Sequence, residues 1–352
     1  MAVNRPCYAS RDEVMRALDV SDSASRARQV DRAISAASDL IDGDLNRIFY
    51  PVTATRYKDF PNWQYTYPWR LWLDADEVVS VSTLTAGGTV ISPSNYNLEP
   101  ANLGPPYDRI ELNRSSTATF APSTTPQRAI SIAGVFGFGA DKDPAGTLAA
   151  AMTDTVGTTA TVSDSSAIGV GDVLYADTEK MLVTGKTQVT TGQTLQAPSL
   201  TASQANNAVN VTTGSAYAEG EVILIDTEQM LITAIAANVL TVKRAFSGTV
   251  LAAHTNGATI FAPRQLTVTR GALGSTAATH SNSAPLSIHR VPPGIKELAI
   301  AESLNTLASE TSAWARTVGE GDNVRNATGA GLASLRNQAM TVYGRQLRLR
   351  AV

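Results

Sequence analysis

The chain is poor in the residues that usually build disulfides and metal sites. Its 352 residues include one cysteine, Cys7, and three histidines. A single cysteine excludes an intrachain disulfide and a cysteine-based zinc site. No apolar run approaches the roughly 18–20 residues of a membrane span, and the first residues lack the apolar core of a signal peptide. The sequence therefore predicts a protein without a membrane segment, made in a cytoplasm.

The chain carries little excess of one sign of charge. Charged residues make up 17% of the chain, the net charge is −3, and 43% of the residues are hydrophobic. This balance argues against a surface that binds nucleic acid throughout. The apolar content is enough for a sizeable core, and the length predicts two or three domains.

Motifs of common enzyme classes are missing. The sequence has no G-x-x-x-x-G-K-[ST] loop, no H-E-x-x-H and no G-x-S-x-G. Gly134, Gly137 and Gly139 follow a strand-like run, and no helix pattern comes after them, so we interpret them as turn glycines. We expect no enzyme activity, no cofactor and no bound metal.

What the sequence does contain is an internal repeat. DTEKMLVT at 177–184 returns as DTEQMLIT at 226–233, an offset of 49 residues, whereas LTVKR at 240–244 returns as LTVTR at 266–270, an offset of 26. The simplest explanation is that one copy of a small β module is nested inside another. An inserted module is tolerated because the two ends of a domain often lie close together.

The repeats also carry the few candidate chemical groups. Asp177 with Glu179, and Asp226 with Glu228, form possible carboxylate pairs, although a charged hairpin turn explains them more simply. His254 and His280 occupy equivalent positions. They are either metal ligands or, in the simpler interpretation, turn residues with local hydrogen bonds.

The periodicity of the sequence predicts the fold class. Ser10 to Glu13 fits a capping box that starts a helix, and a second helix fits 26–48. Alternating β-branched residues predict a small antiparallel sheet over 52–140, and the helix period returns from 292. We expect an α+β fold: a helical scaffold with a small antiparallel sheet, interrupted by two nested all-β modules. The predicted parts are 1–146 and 289–352 for the scaffold, 147–188 and 265–288 for the first module, and 189–264 for the second.

Two surfaces are candidates for contacts with partners. An aromatic stretch near residue 65 predicts contact area in the core or against another subunit, since no basic run accompanies it as a groove for single-stranded nucleic acid requires. Its members are Trp63, Tyr65, Tyr67, Trp69 and Trp72. The other candidate is the C-terminus, where five arginines and no acidic residue follow Asp322. It predicts either docking on an acidic partner or a solvated helix end.

The segments outside the repeats resemble the head–tail connector (adaptor) proteins of tailed bacteriophages. The resemblance covers about 200 residues, omits the β modules, and consists of weak motifs in the family's order. Those motifs are Val79-Ser80-Val81, Tyr96-Asn97-Leu98, Arg109-Ile110-Glu111-Leu112, the turn glycine Gly137, and Val291-Pro292 through Ile295-Lys296.

The resemblance implies a structural role in the virion without catalysis. Such proteins form a ring, expected to be a dodecamer, beneath the portal protein, where they extend the DNA channel and receive the next tail component. DNA passes through the lumen without sequence-specific binding. By this analogy the portal-binding residues are Tyr343, Arg345, Leu347, Arg348, Leu349 and Arg350. The alternatives are a virion decoration or adhesion protein acting through its β modules, and an enzyme using the DTE carboxylates.

Overall fold

The helices begin and end close to the predicted positions. The computed structural model describes residues 3–18, 24–61, 67–122, 124–311, 317–318, 325–326 and 330–345. The helices in these ranges are α1 (Arg11–Leu18), α2 (Ala24–Leu45), α3 (Pro293–Thr311) and α4 (Ala330–Tyr343). The predicted capping box is confirmed: the Ser10 amide donates to Glu13 Oε2 at 2.9 Å, and the Glu13 amide donates to Ser10 Oγ at 3.3 Å.

The chain divides into two compact units. The first comprises Met1–Asp39 and Lys142–Leu335, and the second comprises Leu40–Asp141 and Arg336–Val352. In the second unit the strands are β1 (Val52–Lys58), β2 (Arg70–Trp72), β3 (Val78–Ala86), β4 (Thr89–Ile91), β5 (Tyr96–Glu99), β6 (Arg109–Leu112) and β7 (Ile130–Phe136).

The second unit is built from two antiparallel sheets that share one apolar core. Their strand orders are β1-β7-β3-β4 and β2-β6-β5. Leu71 and Ile110 of the smaller sheet belong to the same buried cluster as Leu84 and Ile132 of the larger one. Because side chains alternate along a strand, the residues next to Leu71 and Ile110 point to the opposite face of the smaller sheet.

The connector-like motifs lie on the elements expected from the sequence. Val79-Ser80-Val81 lies in β3, Tyr96-Asn97-Leu98 in β5, and the segment from Arg109 to Leu112 forms β6. Gly137 follows β7, and its φ of 131° lies in a region that favours glycine. The segment from Val291 leads into α3 at Pro293.

The first unit contains twelve strands among the described residues. The strands are β8 (Lys142–Thr147), β9 (Thr159–Thr161), β10 (Val173–Ala176), β11 (Glu179–Thr194), β12 (Ala208–Asn210), β13 (Val222–Ile225), β14 (Glu228–Ala236), β15 (Val239–Lys243), β16 (Thr259–Thr269), β17 (Pro285–His289), β18 (Thr317–Val318) and β19 (Arg325–Asn326). Ten of them, β8 to β17, form one sheet, and β18 pairs with β19.

The ten-stranded sheet contains the same six-stranded arrangement twice. In the outer module the order of hydrogen-bonded neighbours is β8, β17, β10, the first half of β11, the second half of β16 and β9. The Ala149 amide, which donates to Thr161 O at 2.8 Å, closes β9 onto the chain beyond β8. In the inner module the order is the second half of β11, the first half of β16, β13, β14, β15 and β12. There the Gln196 amide donates to Asn210 O at 2.8 Å, which connects the last strand, β12, to the chain beyond β11.

Two long strands join the modules and explain the two repeat offsets. β11 and β16 pair first within the outer module, from Leu182↔Thr269 to Thr187↔Gln265, and then within the inner one, from Val189↔Ala262 to Thr194↔Thr259. The register shifts between Thr187 and Val189. At the equivalent place the inner module has only the hairpin between β14 and β15. The inner module therefore occupies the position of a short hairpin turn in the outer one.

The predicted fold class is wrong. In the described part of the chain strands predominate over helices and one sheet has ten strands, so the fold is mostly β and not a helical connector scaffold with a small sheet. Helix periodicity marks the segments near both ends of the chain, but the strands between them contain more residues than the helices. Residues 52–136 form two sheets with their own core, and 142–289 supply ten further strands.

The predicted module boundaries stay a prediction. Strands run through each of them: β11 crosses 188/189, β16 crosses 264/265, β8 crosses 146/147 and β17 crosses 288/289. A boundary inside a continuous strand leaves no linker, because the strand belongs to both neighbours.

Candidate functional site

The DTE motif of the inner module holds a buried network around one carboxylate. Glu228 accepts five hydrogen bonds: two from Arg244 at 2.7 and 2.8 Å, two from the amides of Ala245 and Ala252, and one from His254 Nε2 at 2.9 Å. Burial alone would raise the pKa of Glu228, but Arg244 and the other donors lower that pKa to about 2. The carboxylate is thus fixed in its ionised form.

The outer module repeats this network atom for atom. Glu179 accepts from Arg270 at 2.7 and 2.8 Å, from the amides of Gly271 and Ala278, and from His280 Nε2 at 2.8 Å. Burial would raise the pKa of Glu179, whereas its donors, Arg270 first, lower that pKa to about 2. The offset of 49 residues therefore separates the two equivalent glutamates, and the offset of 26 separates the two equivalent arginines and the two equivalent histidines.

These networks have a structural role. Asp177 and Asp226 begin the two-residue turns before the glutamates, with φ of 52°, so the interpretation as charged hairpin turns is confirmed. His254 Nδ1 lies 2.7 Å from Asp226 Oδ2, and His280 Nδ1 lies 2.9 Å from Asp177 Oδ2. Each histidine makes local hydrogen bonds within its own module, and the two do not share a ligand site. Both glutamates accept five hydrogen bonds from groups of their own module.

Helix α1 holds the outer module through charged groups. Asp12 accepts from the Val170 amide at 3.0 Å and from Lys186 Nζ at 3.0 Å. Burial would raise the pKa of Asp12, but Lys186 and the amide lower it. Lys186 Nζ also donates to Ile168 O at 2.7 Å. These groups line a cavity of about 370 Å³ between α1 and both modules, and their charges are neutralised within the chain.

A second polar cluster lies on the outer face of the sheet β2-β6-β5. The strand register places Arg70 opposite Glu111 and Trp72 opposite Arg109, while Leu71 points into the core. Arg70 Nε and Arg109 Nε lie 2.7 and 2.9 Å from the same oxygen of Glu111. This surface is called the aromatic–arginine face and comprises Arg70, Trp72 and Arg109 of the sheet and the neighbouring Tyr67, Trp69 and Arg114. Trp69 is partly buried and also packs against the core.

Guanidinium groups and aromatic rings are stacked along this face. The Arg70 guanidinium lies 5.2 Å from the Tyr67 ring, 4.8 Å from the Trp69 ring and 5.8 Å from the Trp72 ring. Arg109 lies 5.2 Å from the Trp72 ring, and Arg114 lies 5.7 Å from the Trp69 ring. Tyr67 remains 49% exposed. Stacking holds the arginine side chains in place, which reduces the entropy they would lose on binding.

The arginines of this face were not among the candidate residues predicted from the sequence. Arg70 stands between the tryptophans in PWRLWL, but Arg109 and Arg114 are about 40 residues further along the chain. Strand pairing between β2 and β6 brings them to the aromatic rings. Of the predicted interface residues, Tyr67, Trp69 and Trp72 lie together here, whereas Trp63 and Tyr65 lie outside the described residues.

The first residue of the predicted portal-binding segment, Tyr343, packs against its own chain. The Tyr343 ring stacks edge-on against Phe49 and Phe138, with centroids 5.9 and 5.8 Å apart. Arg47 donates to Tyr343 O at 2.7 Å and to both oxygens of Glu77 at 2.8 and 2.9 Å.

Arg345 also contacts its own chain. Its amide donates to Leu45 O at 3.2 Å, and its Nε lies 3.7 Å from Glu77 Oε1. Tyr343 and Arg345 therefore contact their own chain. The other predicted portal-binding residues, Leu347, Arg348, Leu349 and Arg350, lie outside the described residues.

Comparisons with known proteins found no match to any family model, curated protein or solved structure. Within the described residues, none of the helices combines the length and the apolar composition that a membrane crossing requires. The same residues contain no group of three or more His, Cys, Asp or Glu side chains arranged to hold a metal ion.

Proposed function

We propose that this chain is a structural subunit of a tailed-bacteriophage virion that assembles into a ring beneath the portal, joins head to tail and extends the DNA channel. The observation that carries the proposal is the aromatic–arginine face. Tyr, Trp and Arg dominate the binding energy of protein interfaces, and this face brings together three aromatic rings and three guanidinium groups on and beside one sheet. The order of the connector-like motifs along the chain supports the virion context.

The face suits a protein partner better than nucleic acid. Glu111, Glu99 and Asp108 lie among its arginines, with Arg109 between 2.9 and 3.9 Å from each of these carboxylates. The local charge is therefore nearly balanced, whereas binding along a DNA backbone depends on unpaired cations. In a ring, a face of this composition would contact the neighbouring subunit. DNA would pass through the lumen without sequence-specific contacts.

The C-terminus is the proposed portal contact. Tyr343 and Arg345, which precede the last seven residues, contact their own chain. Those residues, QLRLRAV, alternate apolar and basic side chains and contain no acid. An acidic groove on the portal is the chemistry that would receive them.

Co-purification with the portal protein of the same phage tests this proposal. Truncation after Arg345 removes QLRLRAV but leaves the residues Tyr343 and Arg345 in place, and a variant with Arg348 and Arg350 changed to Gln keeps the length. We expect the full chain to elute with the portal and both variants to elute apart from it. Equal binding of the full chain and both variants would show that the C-terminus is not the portal contact. A full chain that does not bind the portal but binds capsids would support a decoration protein instead.

A further inference from the structure

We propose that the aromatic–arginine face of one copy packs against the exposed end of helix α2 on the next copy. This inference rests on the proposed ring and names the two surfaces that build it. Both surfaces belong to the second compact unit. The occupant proposed for the face is a second copy of this chain, because the two surfaces carry unpaired charges of opposite sign.

The end of α2 and the residues just beyond it expose apolar and acidic side chains. Leu40, within α2, is 41% exposed, and Ile48, three residues past the end of the helix, is 40% exposed. Asp44 lies between them in sequence, four residues from each, so Leu40 and Asp44 share one face of the helix. Gly43 adds no side chain next to them, and a Cβ there would meet nothing within 4 Å. A flat partner surface can therefore approach the helix closely.

The two surfaces carry complementary unpaired charges. Arg114 stacks on Trp69 at 5.7 Å, and in the described part of the chain no carboxylate forms an ion pair with it. Asp44 likewise has no cationic partner among the described residues. Pairing Arg114 with Asp44 of the next copy would satisfy both charges and bring Leu40 and Ile48 against Tyr67 and Trp69.

The use of two different surfaces has a consequence for symmetry. When surface A of one copy binds surface B of the next, the contact is heterologous, and repeating it produces a closed ring if the rotation closes. A self-complementary face would instead stop at a dimer. The pairing proposed here is therefore the type that a ring requires.

A charge-swap experiment on the full chain tests the pairing. The variants are Arg114→Glu, Asp44→Arg and the double variant, with Arg128→Glu and Asp141→Arg as controls, since both are exposed charges of the same unit. Self-association is measured by mass photometry alone and in the presence of portal, and circular dichroism checks the fold. We expect each single variant to associate about tenfold more weakly, because like charges then face each other. The double variant should recover most of the wild-type association, and the controls should match wild type.

The outcomes separate this inference from the ring itself. If the wild-type chain forms rings and the single variants form them equally well, the assignment of surfaces is wrong while the ring stands. Weak single variants without recovery in the double variant would also overturn the pairing of Arg114 with Asp44. A wild-type chain that stays monomeric with and without portal would remove the ring and the inference together.

Discussion

Arg244 donates from Nε and Nη2 to the two carboxylate oxygens of Glu228, at 2.7 and 2.8 Å, and both side chains are fully buried. Arg270 and Glu179 repeat this pair in the outer module. A charge buried without its partner is strongly destabilising. Each Arg–Glu pair therefore stabilises its own module. Mutation of one pair should destabilise that module and leave the other folded.

Changing Glu228 to Gln should unfold the inner module selectively. The substitution leaves Arg244 buried without a counter-charge, at a cost of roughly 3–5 kcal/mol. Hydrogen exchange read by mass spectrometry should show lost protection in β13, β14 and β15. The exposed turn residue Thr227, changed to Ala, is the matched control. Equal loss of protection in β10 and β17 would show that the modules do not respond separately.

The two glutamates predict an acid-sensitive fold. The folded-state pKa of each is about 2, against an ordinary value of 4.5. Their contribution to the free energy of unfolding is present above pH 4.5 and is lost as the pH falls from 4.5 towards 2. Urea unfolding followed by circular dichroism between pH 6 and pH 3 measures this slope. The exposed-turn variant Thr227→Ala should keep the wild-type slope, and a free energy of unfolding that does not change between pH 6 and pH 3 would contradict the assignment.

Asp172 predicts the opposite dependence near neutral pH. Burial, and then the neighbouring Glu13, raise the pKa of Asp172 to about 7 from 3.8. A raised carboxyl pKa favours the folded state below pH 3.8, and this contribution is lost as the pH rises through 7. Asp172→Asn should therefore raise the midpoint of thermal unfolding at pH 8 and change it little at pH 4. Asp141→Asn, at an exposed position, is the control. Equal shifts at both pH values would exclude a protonation effect.

Gly137 should be sensitive to a methyl group. Its φ is 131°, and an added Cβ would lie 2.6 Å from Tyr50 O. Gly137→Ala should destabilise the second unit by about 1–3 kcal/mol. Gly139→Ala is the control, because a Cβ there meets nothing within 4 Å. Tryptophan fluorescence during urea unfolding reports this unit through Trp69 and Trp72. Similar midpoints for both alanine variants would contradict the role given to Gly137.

Local features of the fold were predictable, and long-range ones were not. The capping box at Ser10, the helix over 26–48 and the charged turns at Asp177 and Asp226 follow from neighbouring residues. Strand pairing is a long-range property, so alternation indicated strands over 52–140 without showing that two sheets enclose one core. The arginines of the aromatic–arginine face were missed for the same reason, since register alone places Arg109 beside Trp72.

Electron microscopy of the chain mixed with the portal protein of the same phage tests the central claim most directly. We expect a closed ring of this chain, coaxial with the portal, whose subunits contact one another through the aromatic–arginine face. Particles in which the chain is absent from the portal axis, or lies singly on capsid surfaces, would rule out the proposed ring.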